Sequence, residues 1–93
     1  MNIKQEENDT SGVFYIIDEK NDHVAELVYN TEHPSAIIIE HTEVSEELRG
    51  KDIGYLLVQA AVEYAREQHM KVVPVCSFAK AVMEEKTEFQ DVL

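Results

Sequence analysis

An extended run, Ala36-Ile37-Ile38-Ile39, continues through Glu40 to Val44, meets a short turn, and the turn opens a long amphipathic helix. That succession constrains the chain more than any other feature. Consecutive isoleucines are apolar on both faces of a strand, so Ala36 to Val44 is expected at the centre of a sheet. The helix reads from Gly54 to Gln68, with Leu57, Ala61, Tyr64 and Ala65 at helical spacing and Ile53 one turn before them. Gln59, Glu63, Arg66 and Glu67 fall on its other side, and the small Ala60 and Ala61 let it lie close to a sheet. Between strand and helix stand two glycines, Gly50 and Gly54, and two cations, Arg49 and Lys51. The first amides of a helix have no intrahelical partner and carry the positive end of its dipole, so such a turn suits an anion.

The remaining pattern places this unit in one domain. Residues 1–11 are polar and read as a flexible N-terminal tail. Gly12 to Asp18 is rich in β-branched and aromatic residues and reads as a strand. Glu19 to Asp22 is turn chemistry, and His23 to Asn30 is a second strand. With Ala36 to Val44 these make a three-stranded antiparallel meander. After the helix, Lys71 to Cys76 reads as a short strand, at an edge or distorted because Pro74 cannot donate to a ladder. Ser77 is the expected N-cap of a last helix, Phe78 to Glu85. Thr87 then starts a short turn, with Phe89, Val92 and Leu93 as docking residues. The fold class is therefore α+β or α/β: a meander, a right-handed β-α-β unit whose last two strands are parallel, and a C-terminal helix. A chain of 93 residues holds one such domain, over 12–93.

Charge and composition remove several function classes. The net charge is −11 with no basic stripe, which argues against nucleic acid and against an anionic membrane surface as partners. No apolar run is of bilayer length. The single cysteine, Cys76, forms no internal disulfide and fits a reducing compartment, so the expected location is cytoplasmic. His23, His33, His41 and His69 lack ligand spacing, and no metal site is expected. The phosphate-binding pattern of nucleotide hydrolases fails, because Gly50-Lys51 is followed by Asp52 and Ser45 stands where the first glycine belongs.

The spacing Arg49-x-x-Asp52-x-Gly54 resembles the pyrophosphate loop of the GNAT superfamily of N-acetyltransferases, Gln/Arg-x-x-Gly-x-Gly/Ala, set between a strand and a long helix. The stretches His41-Thr42-Glu43-Val44 and Pro74-Val75-Cys76-Ser77-Phe78-Ala79 add to the match. The resemblance runs from about Gly12 to Phe89, and is closest to the small branch without the N-terminal helices and C-terminal hairpin of longer members. It implies an acetyl-CoA-dependent N-acetyltransferase acting on an amine, either a small molecule or a protein lysine. The strand end Thr42, Glu43 and Val44 would hold the pantetheine arm. The amides of Arg49, Gly50, Lys51, Asp52, Ile53, Gly54 and Tyr55 would hold the pyrophosphate, with Lys80 a second source of positive charge. Asp52 stands where the family has glycine; Asp tolerates positive φ, and its carboxylate is expected to point outward. Many members use a tyrosine as acid in the last helix, where this chain has Phe78. That role is either vacant or passes to Cys76 or Ser77, and Cys76 could also accept the acetyl group. His41 is the candidate base, with Glu40 and Glu43 as alternatives, and strand alternation puts His41 and Glu43 on one face. The carboxylates Glu40, Glu43, Glu46 and Glu47 read first as a solvated, charged rim, and alternatively as a patch that would attract a cationic acceptor. Two other readings fit the same residues: a non-catalytic acyl-CoA-binding module and a small acidic interaction protein. The chain is expected as a monomer or a homodimer, its open site admitting a large partner or being closed by a second copy.

Overall fold

Five strands form one sheet in the order in which the chain makes them, in a computed structural model that describes residues 2–93. They are β1 (Lys4–Glu7), β2 (Ser11–Ile17), β3 (His23–Asn30), β4 (Ala36–Val44) and β5 (Lys71–Pro74). The first four are antiparallel neighbours, and β5 runs parallel to β4. Helix α1 (Ile53–Glu67) makes the crossover, α2 (Ser77–Glu85) follows β5, and 3₁₀ turns cover Glu46–Leu48 and Thr87–Val92.

The first strand corrects the expectation of a flexible tail over 1–11. Lys4 to Glu7 pairs with β2, Lys4 opposite Tyr15 and Glu7 opposite Gly12; Met1 lies outside the described residues. Long-range polar contacts hold this segment. Gln5 Nε2 donates to the Tyr29 hydroxyl at 2.8 Å, and Glu7 Oε1 accepts from Tyr29 at 2.8 Å and from Tyr64 at 2.7 Å. The meander is thus four-stranded.

The core lies on one face of the sheet. Phe14, Leu27, Tyr29, Ile37 and Ile39 pack against Leu57, Val58, Ala61 and Val62 of α1, with Ala79 and Met83 of α2 and Phe89 and Val92 of the last turn joining the same cluster. Each fully buried Leu or Ile contributes about 1.5–3 kcal/mol relative to exposure. The isoleucine strand lies inside the sheet as expected, between β3 and β5, but cover on both faces needs correction: the face carrying Val13, Val28, Ile38 and Val73 has no helix upon it among the described residues. Ile38 is accordingly only half-buried. Leu93 is exposed, while Phe89 and Val92 dock as expected.

Beyond the Gln68 cap of α1, His69 adopts φ 57°. The His69 amide donates to the Arg66 carbonyl and the Met70 amide to the Ala65 carbonyl, the paired bonds that close a helix through a left-handed residue.

Candidate functional site

Two local features open the sheet where the chemistry-bearing residues fall. A bulge comes first. Val28 faces His41 but Tyr29 faces Ile39, so Glu40 is the extra residue of β4. It shifts the alternation. Without it His41 would continue the buried row of Ile37 and Ile39; with it Thr42 and Val44 take that face, and His41 and Glu43 turn to the uncovered one. Then β5 stops early. Its pairing ends at Ile39 opposite Pro74, where the Ile39 carbonyl accepts from both the Val75 and Cys76 amides, at 3.0 and 3.1 Å. From Glu40 to Val44, β4 pairs with β3 alone.

The notch so made is a cleft of about 750 Å³, within the range of small-molecule sites. One wall is Thr42, Glu43 and Val44; the floor is Leu48 to Gly50 and Asp52 to Tyr55; the far wall is Phe78, Val82, Glu85 and Lys86. Of the residues expected to hold a carrier, Lys51 and Lys80 do not line it. Lys86, at the end of α2, does line it.

The floor is built from backbone that few residues adopt. Gly50 has φ 81°, a conformation that disfavours a side chain although the space around it is open. Asp52 caps α1 at φ 59°, as an aspartate can, and its carbonyl accepts the Leu56 amide at 3.0 Å. Its side chain makes no cap bond. Arg49 Nε donates to the Val44 carbonyl at 3.3 Å, tying the loop to the strand end. Gly54 lets Phe78 approach closely, which the spacing does not show: a Cβ there would lie 2.4 Å from Cζ of Phe78. Phe78, 44% exposed, therefore rests on the opening turn of α1.

Cys76 does not line the cleft but stands beside its Thr42 wall. It corrects the expected cap: Cys76, rather than Ser77, caps α2, its Sγ accepting the Ala79 amide at 3.5 Å. Thr42 Oγ1 lies 3.5 Å from the same sulfur. Burial pushes the Cys76 thiol up, but the Ala79 amide, Thr42 and the Phe78 amide outweigh it, and the net shift is below the ordinary value. His41 is on the other face of β4, its Nε2 3.2 Å from Glu43 Oε2, with its side chain 57% exposed. The two candidate catalytic groups are thus on opposite sides of the strand that a ligand would line.

At the floor's far end, Tyr55 donates to Glu88 at 2.6 Å and its ring stacks on Phe89 at 5.6 Å between centroids. The hydrogen bond to Glu88, aided by burial, raises the Tyr55 hydroxyl above its ordinary value, and the charge of Asp52 adds a smaller push. Lys86 Nζ stands 5.2 Å from the same ring centre. Lys86 was invisible as a site residue because only tertiary packing brings α2 over the loop, and Phe78, expected only as the residue in place of a tyrosine acid, lines the cleft through the same packing. Among the described residues no group of three His, Cys, Asp or Glu could hold a metal ion, and no helix is long and apolar enough to cross a membrane.

The donor set fits an acyl-CoA: outward amides and a cation for phosphates, an unpaired strand edge for amide groups of an arm, and a thiol beside that edge. Comparisons with known proteins identify the family and the fold. A family model described as GCN5-related N-acetyl-transferase matches residues 13–92. The solution structure of a GCN5-like protein from Staphylococcus aureus is 44% identical with a TM-score of 0.79, covering 98% of this chain and 85% of its own. A ribosomal-protein-alanine N-acetyltransferase from Brucella melitensis shares the fold at 19% identity and TM-score 0.67, covering 84% of this chain and 62% of its own. The glucosamine-6-phosphate N-acetyltransferase of Arabidopsis thaliana does so at 24% and 0.66, covering 83% and 58%. Among curated sequences none matches.

Proposed function

The chain belongs to the GCN5-related N-acetyltransferase family, and we propose that it transfers an acetyl group from acetyl-CoA to an amine at the cleft between β4 and α2. The observation that carries this reading is the meeting, in one cleft, of a strand edge left unpaired by β5 and the anion-suited turn of α1. Bound there, acetyl-CoA supplies an activated acetyl thioester. The opening amides of α1 and the Arg49 guanidinium hold its phosphates. The backbone of Thr42, Glu43 and Val44 offers hydrogen-bonding groups to its arm.

Two side chains handle protons. An amine of the lysine type is mostly charged at neutral pH and must lose a proton before it can attack. His41 Nε2, oriented by Glu43, takes it on the uncovered face of the sheet, where the carboxylates Glu40 and Glu43 draw a cationic acceptor. The amine nitrogen bonds to the acetyl carbon as the C–S bond of the thioester breaks, and Cys76 Sγ, beside Thr42, gives its proton to the departing thiolate. A second role for the same sulfur, as nucleophile, is favoured by its shift toward thiolate and its position at a helix N-terminus. A free thiol that must stay reduced also suits a cytoplasmic location.

Thiol release from acetyl-CoA over a panel of amines tests the activity. Cys76→Ser and His41→Gln are each expected to lower turnover by roughly 100-fold or more. Binding without turnover by any amine would leave an acyl-CoA-binding module, and undiminished turnover in both variants would remove the two assigned roles. Intact-mass analysis without acceptor separates the roles of Cys76, since only a nucleophile retains an acetyl adduct. Asp52→Gly removes a carboxylate whose repulsion of a phosphate at ~4 Å is about 1 kcal/mol in water and ~4 kcal/mol at an intermediate dielectric. A large gain in affinity for CoA means that Asp52 obstructs the site, and an unchanged affinity means that its carboxylate points away.

A further inference from the structure

The C-terminal turn uses two of the neighbouring cations and leaves a third. Arg66 binds Asp91, its Nη2 2.7 Å from Oδ1, and Lys71 Nζ donates to the Asp91 carbonyl at 3.0 Å. Lys86 has no carboxylate of the described residues within ion-pair distance, in a chain of net charge −11. It is half-buried, and its backbone is pinned on both sides: its amide donates to the Val82 carbonyl at 3.0 Å, and its carbonyl accepts the Phe89 amide at 3.1 Å. Its ammonium rests against the Tyr55 ring and lines the cleft.

We propose that Lys86 anchors the 3′-phosphate at the nucleotide end of the carrier, leaving the Tyr55 ring to do so. This rests on the reading that the cleft takes CoA. Helix α2 sets the scale. Cys76 caps its first turn and Lys86 its last, a span of about 15 Å at the usual helical rise. A carrier whose acyl group lies at the Cys76 end therefore brings its charged end toward Lys86. Two cations line the cleft, Arg49 and Lys86. Arg49, tied to Val44 beside the opening amides of α1, serves the diphosphate. That leaves the phosphate monoester, which carries the most charge per group, for Lys86. Glu85 and the negative end of α2 oppose an anion at this place, so the recognition depends on the one ammonium.

Calorimetric titration of CoA and of 3′-dephospho-CoA into the wild-type protein and Lys86→Gln tests this, with thermal melting as the control for folding. The wild type should bind CoA more tightly than the dephospho form by roughly five- to tenfold. Lys86→Gln should erase that preference while binding dephospho-CoA as the wild type does, within about twofold. Equal weakening of both ligands in the variant, or no preference in the wild type, overturns the assignment of the 3′-phosphate while leaving the cleft as a CoA site. Failure of the wild type to bind either ligand overturns the reading of the cleft and the role of Lys86 together. Lys86→Arg should restore the preference, since any cation at the end of α2 can meet the phosphate.

Discussion

Gly12 and Gly54 occupy the same kind of place with opposite consequences. A Cβ on Gly12 would lie 2.3 Å from Cζ of Tyr29, and one on Gly54 would lie 2.4 Å from Cζ of Phe78. Tyr29 is fully buried, and its hydroxyl is fixed by Gln5 and Glu7. Phe78 is half-exposed and carries no polar tie. One ring cannot yield, and the other can swing into solvent. The same division runs through the regions around them. At the β1 end, Glu7 satisfies two tyrosine hydroxyls at once. At the cleft end, Ser45 Oγ is buried without a partner, Asp52 holds a left-handed backbone, and β4 runs on past its parallel neighbour. Stability is concentrated where polar groups are paired, and the capacity to receive a ligand where they are not.

The largest expected effect is at the rigid glycine. Gly12→Ala should cost about 2–3 kcal/mol in urea denaturation, as overpacking against an immobile ring does. A loss near zero would show that Tyr29 moves as freely as Phe78, and would dissolve the contrast. Glu7→Gln should cost about 1–2 kcal/mol, because a charged acceptor of two bonds is replaced by a weaker one.

The pH dependence sharpens this. Burial, then the hydrogen bond to Glu7, pushes the Tyr64 hydroxyl from 10.0 to about 12. Its folded value lies above its unfolded value, so its contribution is fully present below pH 10.0 and is lost as pH rises through about 12. The melting temperature should fall across that window, and Tyr64→Phe should flatten the fall. At the cleft end the signs change. Ser45→Ala, which removes an unpaired buried hydroxyl, should be neutral or stabilise by up to about 1 kcal/mol. Gly54→Ala should change stability least, by under ~0.5 kcal/mol, since the displaced Phe78 ring is offset by the better helix propensity of alanine. Its effect belongs in the affinity for CoA instead.

The parts of the chain that were legible are those governed by local pattern. The strands His23–Asn30 and Ala36–Val44 stand where alternation and apolar runs, bounded by turn residues, put them. The helix begins at Ile53, one residue before Gly54, and the loop from Arg49 to Gly54, Lys51 apart, forms the floor of the cleft. What escaped depends on distant partners. β1 is four exposed polar residues, with no apolar periodicity to betray a strand, and it is held by its backbone pairing and by Tyr29 and Tyr64. The extra residue Glu40 cannot be seen in β4 alone, because a bulge is a mismatch between two strands. Ser77 is the commoner cap type, yet the Ile39 carbonyl ends β5 so early that Cys76 reaches the cap position first. Lys86 and Phe78 enter the site only through the packing of α2 across the loop.

The most direct test of this account follows backbone amide resonances while acetyl-CoA is titrated to saturation. Shifts confined to Thr42–Val44, Arg49–Tyr55 and the Phe78–Lys86 wall, with Lys4–Ile17 unmoved, are the predicted result. Unchanged spectra at the cleft, or changes centred on the β1 edge, would contradict it.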